Sequence, residues 1–309
     1  MTENDLGLLR PEWDRVSGDP AMTAFKQAAR RQQATWRVNQ QFEAGEQPKG
    51  QPNGSTLADE VGRGYGNFLS DGIKEAVRRR ALTKQKWQTF DETRLRNNLL
   101  SSMPMCFNLF GEVDGDPGRL TAIGAALFGT TAHGDRIEFE WSPGRTDPSY
   151  TGDRTAFDVA LFFGDPAIGG QTVVGVETKY HEHAVKEKAP DATTRMPRYR
   201  EITERAIAER NVFKPDWESR IVGTALQQIW RDHLLLLALL QHPSGEFADG
   251  RYVLAYPAGN TSFAALADTY TTVLNDQSTF QAVTVEELIE ADVLHQPDTR
   301  AAFVERYLW

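Results

Sequence analysis

Three ionisable residues sit inside stretches otherwise fit for burial. Asp158 lies in Ala156-Phe157-Asp158-Val159-Ala160-Leu161-Phe162-Phe163, and Glu177 and Lys179 lie in Thr172-Val173-Val174-Gly175-Val176-Glu177-Thr178-Lys179-Tyr180. Between them runs a turn-forming segment, Gly164-Asp165-Pro166-Ala167-Ile168-Gly169-Gly170-Gln171, so the two apolar runs predict a β-hairpin. Side chains alternate along a strand, which puts Glu177 and Lys179 on one face and Val176 and Thr178 on the other. With the loop centred between Ala167 and Ile168, antiparallel pairing sets Asp158 opposite Glu177. Two carboxylates meeting in an apolar setting repel and are costly to desolvate. A divalent cation bound through oxygen ligands removes that cost. The plainer alternative is an Asp158–Lys179 ion pair across the hairpin, with Glu177 solvated at an edge.

The elements around the hairpin must position these groups. Residues 21–42 predict an amphipathic helix with Phe25, Ala28, Ala29 and Trp36 on one side. A Gly/Pro/Gln-rich stretch follows, Gly45 to Ser55, without a packing signal, and it predicts a linker. A second helical region over 67–90 carries Arg78-Arg79-Arg80, Lys84 and Lys86, either a solvated face or a phosphate-contacting arm. Leu95, Leu99, Cys106, Leu109 and Phe110 make a helical stripe within 91–112 that Pro104 should kink or restart. Ile137, Phe139 and Trp141 alternate with Glu138 and Glu140 in a half-exposed strand. Residues 182–215 are polar and mixed in charge, a loop and helix inserted after the hairpin. Ile221 to Gln241 is the strongest helix and is apolar over most of its surface, which predicts burial on most sides. Gln228 and Arg231 stand out from it as a narrow polar stripe. Tyr252–Tyr256 reads as a buried strand, followed by a helix near 263–274, a strand at Phe280–Val285 and a further helix. Strands sharing one core with helices on both faces give an α/β or mixed-sheet architecture.

Composition bounds the function. The chain has 309 residues, 40% of them hydrophobic, and a net charge of −9. That balance argues mildly against a non-specific polyanion binder, although a local basic patch or bound metal can outweigh the global sum. The longest apolar run, Leu234 to Leu240, is too short to span a bilayer. The start, Met-Thr-Glu-Asn-Asp, lacks the regions of a signal peptide, and a cytoplasmic protein is expected. A single cysteine, Cys106, excludes an internal disulfide and a Cys-rich zinc site, and it reads as a small buried hydrophobe. His181 and His183 read as part of a polar loop. Ser101-Ser102 has no evident His base, and no Gly-rich phosphate loop is present.

An Asp on one strand and Glu-x-Lys on the next, between a leading helix and a following helix–strand pair, resembles the PD-(D/E)XK nuclease superfamily. The motif stands here as Phe157-Asp158 and Val176-Glu177-Thr178-Lys179, with Phe157 where the family pattern has proline. The segment Asn98 to Glu112 is similar to an uncharacterised restriction-endonuclease-like family within that superfamily. The resemblance covers residues 90–260. It implies a restriction-endonuclease-like core, a central mixed β-sheet flanked by helices, over 91–309. Residues 1–90 form a helical N-terminal extension with a linker near 43–58. The resemblance further implies metal-dependent phosphodiester hydrolysis. Asp158, Glu177 and the backbone carbonyl of Thr178 would hold Mg²⁺ or Mn²⁺. Lys179 would orient or help deprotonate the attacking water. Gln228 resembles the glutamine that some families place on the next helix, and Arg231 is positioned to contact a phosphate from the same face. Glu112 is the candidate for the acid that the leading helix sometimes adds, with Glu138 and Glu140 as competitors. Nucleic acid is the expected partner, DNA ahead of RNA, in restriction, repair or phage defence; a homodimer or a regulatory partner protein is also compatible. Two rivals remain. One is a catalytically silent nucleic-acid-binding or protein-interaction scaffold of the same fold. The other, a two-carboxylate glycosidase, gives no reason for Lys179.

Overall fold

Helix α1 (Ala24–Asn39) begins where the Thr23 hydroxyl accepts a hydrogen bond from the Lys26 N–H, an N-cap. The computed structural model describes residues 23–46, 52–84, 86–88, 90–167 and 169–309. Strands β1 (Ala44–Glu46) and β2 (Pro52–Leu57) pair antiparallel. This corrects the expected linker, whose middle, 47–51, lies outside the described residues. The segment has a packing partner after all, since Leu57 is buried with Trp36 and Leu99 in a small apolar cluster.

Helices α2 (Asp59–Arg63), α3 (Asp71–Leu82), α4 (Glu92–Asn97) and α5 (Ser102–Phe110) follow. The helix expected over 67–90 is thus shorter, starting where Ser70 caps it. The stripe over 91–112 divides into α4 and α5, with Pro104 in the first turn of α5, where a missing N–H costs nothing. Helix α6 (Pro117–Ile123) runs into a single π-helical turn, 124–128. Strands β3 (Gly134–Trp141), β4 (Phe157–Phe163) and β5 (Gln171–Thr178) come next. They lead to α7 (Arg195–Arg210), α8 (Trp217–Ile221) and α9 (Gln227–Leu240). The helix expected from Ile221 therefore starts later. Gly223 turns the chain at φ +71°, and its N–H donates to Gln227 Oε1 at 2.8 Å. Strand β6 (Phe247–Tyr256), α10 (Thr261–Thr271), β7 (Phe280–Thr284), α11 (Val285–Glu290) and α12 (Pro297–Tyr307) complete the chain. No helix among the described residues is long and apolar enough to cross a membrane.

One five-stranded sheet runs β3-β4-β5-β6-β7. Its first three strands are antiparallel, and β5, β6 and β7 are parallel, so the sheet is mixed. Each face buries its own apolar core. Val159, Leu161, Phe163, Val174 and Val176 pack with α3, α5, α6 and α12. Ala160, Phe162, Val173, Tyr252 and Leu254 pack with α7, α9 and α10. A mixed sheet covered on both faces is the restriction-endonuclease-like architecture expected above.

Two details shape the end of the sheet where the ionisable groups lie. Gly175 admits no side chain, because a Cβ there would stand 2.5 Å from the Phe157 ring. Glu140 takes φ +50° within β3, a conformation unusual for a residue with a Cβ. Phe139 belongs to the first core while Trp141, two residues on, packs against the second. Strand alternation therefore breaks at Glu140, although Phe139↔Val159 and Trp141↔Phe157 keep one register. The Glu140 carbonyl is pinned by Arg145 Nη2 at 2.6 Å and Arg80 Nη2 at 3.3 Å, which holds the kink.

Candidate active site

The hairpin forms in the register that a loop centre between Ala167 and Ile168 requires. Val159 pairs with Val176 and Phe163 with Thr172, so Asp158 and Glu177 occupy the next positions. The loop tip, Ile168, lies outside the described residues. Parallel pairing of β5 with β6 fixes the other side, Glu177 beside Leu254 and Thr178 beside Ala255.

Asp158, Glu177, Lys179, Gln228 and Arg231 line a single cleft of about 950 Å³, together with Glu140, Glu182 and Asp232. Lys179 Nζ donates to Glu177 Oε1 at 2.6 Å, and Gln228 Nε2 reaches the same oxygen at 3.4 Å. Both partners of the Lys179–Glu177 pair are buried. Asp158 does not pair with Lys179 directly. Its Oδ2 accepts from the Thr178 N–H at 2.8 Å and from the Thr178 hydroxyl at 2.6 Å. The Thr178 side chain, itself fully buried, thereby fixes the Asp158 carboxyl against the end of β5. No hydrogen bond among the described residues reaches Asp158 Oδ1 or Glu177 Oε2, so each carboxylate keeps one oxygen for another ligand.

The electrostatics of the cleft are those of crowded acids. Burial, then the Glu177 charge, push the Asp158 carboxyl up to about 7. Burial, then the charges of Asp158 and Glu177, raise Glu140 to about 8. Burial and Glu177 hold Asp232 well above the ordinary carboxylate range. Asp232 Oδ2 is buried without a hydrogen-bond partner, a state that costs free energy unless something else satisfies it. Lys179 behaves oppositely. Burial alone would lower its pKa, but Glu177, Glu182, Asp158 and Asp232 outweigh it and keep the ammonium above the ordinary lysine range.

This donor set fits a hard divalent cation, since it offers carboxylate oxygens and like-charge strain that a cation relieves. Asp158 and Glu177 are the groups that would hold it, with the carbonyl of Thr178. Among the described residues no three His, Cys, Asp or Glu side chains stand close enough to form a finished metal cage. A cation held there would rest on two carboxylates, its coordination completed by backbone, water or substrate.

Glu112 lies elsewhere. It accepts hydrogen bonds from Ser70 Oγ at 2.8 Å and Thr299 Oγ1 at 2.7 Å, tying α3 and α12 together, and it is not part of the cleft lining. Of the three candidates for an added acid, the kink in β3 brings Glu140 to the cleft, and Glu112 and Glu138 lie outside its lining. Arg231 lines the cleft but is held by Glu187 Oε2 at 2.9 Å. Asp232 went unread in the sequence although a signal existed, because it follows Gln228 by four residues and so shares its helix face. The arginines of the basic run on α3 have partners within the fold. Arg78 pairs with Glu75, Arg79 with Asp114, and Arg80 binds the carbonyls of Phe139 and Glu140.

Comparison with known proteins agrees with this fold. A family model of the PD-(D/E)XK nuclease superfamily matches residues 19–309. No curated protein and no solved structure matches the chain. A mixed five-stranded sheet flanked by helices, the Asp and Glu-x-Lys on adjacent antiparallel strands, and a match over nearly the whole length have one common explanation: the chain belongs to the PD-(D/E)XK nuclease superfamily.

Proposed function

We propose that the protein is a divalent-metal-dependent nuclease that hydrolyses phosphodiester bonds, with DNA as its substrate ahead of RNA. The observation that carries this reading is the convergence of Asp158, Glu177 and Lys179 on one cleft, with Glu177 held by both Lys179 and Gln228. Asp158, Glu177 and the Thr178 carbonyl would hold Mg²⁺ or Mn²⁺, which would supply Lewis-acid activation of water and charge neutralisation at the scissile phosphate. Thr178 and Gln228 position the two carboxylates. Lys179, kept cationic by its acidic neighbours, steadies negative charge on the phosphoryl group and orients the nucleophilic water, and is poorly placed to accept its proton.

The surroundings support a nucleic-acid ligand in spite of the net charge of −9. Arg94, Arg154 and Arg195 line the cleft and form no ion pair among the described residues. Many arginines elsewhere are paired with acids, as Arg119 with Asp292 and Arg200 with Glu218. Unpaired cations gathered at one cleft are the footprint expected for phosphate contacts. A second groove of about 750 Å³ shares Arg195 and Arg231 with the cleft, which gives a polymer room to continue past the site.

The rival, a catalytically silent nucleic-acid-binding scaffold, draws on the lack of a finished metal cage among the described residues. It leaves the cost of three carboxyls with raised pKa values unexplained. A cleavage assay on plasmid, single-stranded DNA and RNA with Mg²⁺, Mn²⁺ or EDTA decides between them. Divalent-dependent cleavage is expected, lost at least 100-fold in Asp158→Asn, Glu177→Gln and Lys179→Met while circular dichroism stays unchanged (about 2.7 kcal/mol of transition-state stabilisation). Cleavage that survives EDTA, or that persists in all three variants, overturns the assignment.

A further inference from the structure

We propose that Trp87 and Arg154 form a stacking platform for an unpaired base at the mouth of the cleft, so that the strand entering the site is single-stranded or locally opened. The proposal rests on the nuclease reading and adds the form of substrate. Trp87 is 49% exposed, the largest side chain so open among the described residues apart from Trp309. Its backbone takes φ +67°, a conformation that glycine favours and bulky residues rarely adopt. An exposed indole and a strained backbone both work against folding, and two cationic side chains lie against the ring. Arg154 Cζ lies 4.8 Å from the ring centroid and Lys86 Nζ lies 5.2 Å from it.

Arg154 links this ring to the chemistry, because it is also one of the unpaired arginines lining the cleft. The pair therefore offers a planar guanidinium inside the cleft that holds the groups expected to act on a phosphodiester, with the indole ring against it. That combination recognises nucleobases without regard to sequence, since every base has a π-face and every linkage has a phosphate. Duplex DNA hides its base faces and offers nothing for the indole to stack on. Cation–π contact alone does not account for the arrangement, because such pairs at exposed sites stabilise little.

The test is fluorescence anisotropy in EDTA with a labelled 12-nucleotide oligodeoxythymidine and a duplex of equal length, run beside the cleavage assay. The wild-type protein should bind the single strand more tightly than the duplex. Trp87→Ala should weaken single-strand binding about 10-fold or more, leave duplex binding within about two-fold, and keep the wild-type circular dichroism. Trp87→Phe should restore most of the affinity. Equal losses for single strand and duplex, or no loss, overturn the platform. If cleavage persists in that case, the nuclease reading stands without it. If wild-type protein neither binds nor cleaves, both fail together. Altered self-association in the ultracentrifuge with unchanged oligonucleotide affinity would assign the ring to a protein contact instead.

Discussion

His233 shows how strongly a single buried residue sets the behaviour of this fold. Its ring is fully buried on α9, with Nδ1 2.9 Å from the Tyr270 hydroxyl and Nε2 2.9 Å from the Thr279 hydroxyl. Burial pushes its pKa down from 6.5 to about 3, so the folded protein keeps it neutral. Below pH 6.5 the unfolded chain binds a proton that the folded chain refuses. The stabilisation is therefore complete above about pH 6.5 and is lost as pH falls toward 3. The raised carboxyls of Asp158, Glu140 and Asp232 act in the opposite sense, since the folded state holds their protons longer, so the net slope mixes both. Comparison with His233→Gln isolates the histidine. Between pH 8 and pH 5 the wild type should lose about 2 kcal/mol relative to the variant, measured by urea denaturation. A constant difference across that range would show that the histidine does not stay neutral. At this scale the sequence was legible where residue type and spacing decide placement, as for Asp158, Glu177, Lys179 and Gln228, which share one cleft. It was not legible where a backbone conformation decides the outcome. Glu140 reaches the cleft through a left-handed kink pinned by Arg145 and by Arg80, which comes from a distant helix.

The β4–β5 hairpin was largely legible because a turn-forming segment joins two apolar runs, and its register shows in the charged residues, since a slip by one residue would part Asp158 from Glu177. Glycine-rich loops elsewhere give no such constraint. The β1–β2 pair forms from a stretch whose composition signals only flexibility, and its stability comes from Leu57 packing on Trp36 and Leu99, contacts no local pattern reveals. Within the hairpin, Gly175 carries a demand that the sequence alone does not show. A methyl group there meets the Phe157 ring at 2.5 Å, and a ring buried in the sheet core cannot swing away. Gly175→Ala should therefore push Phe157 aside and move the adjacent Asp158. The expected result is a loss of about 1–3 kcal/mol in denaturant titrations with a fall of at least 10-fold in divalent-dependent cleavage. Gly175→Ala combined with Phe157→Leu should recover part of both. A single variant with wild-type cleavage would show that Phe157 does not position Asp158.

Across the whole molecule the two ends of the described chain meet behind the site, and one arginine joins them. Arg306 on α12 is fully buried and has no acidic partner among the described residues. Its Nε donates to Gln33 Oε1 of α1 at 2.9 Å, and its two terminal nitrogens donate to the backbone and side-chain oxygens of Asn67. Its guanidinium lies 3.8 Å from the centroid of the Trp36 ring, so stacking and carbonyl contacts replace the missing carboxylate. Gln33 passes the connection onward, donating from Nε2 to the Tyr180 hydroxyl at 2.8 Å. Tyr180 directly follows Lys179, so α1, α12 and the end of β5 form one hydrogen-bonded unit. The family match beginning at residue 19 likewise includes α1. Arg306→Met should leave Gln33 Oε1 and Asn67 Oδ1 buried without donors, a cost of about 2–5 kcal/mol for the two acceptors. Urea denaturation should show that loss, and limited proteolysis should cut the segment between α1 and α2 faster than in the wild type. Cleavage should fall as well, because the support behind Lys179 loosens, whereas Tyr180→Phe removes one hydroxyl and should cost only about 1 kcal/mol. Stability of Arg306→Met within 1 kcal/mol of wild type would mean that α1 is held by apolar packing alone, and the arginine would then be a passenger in the interface it occupies.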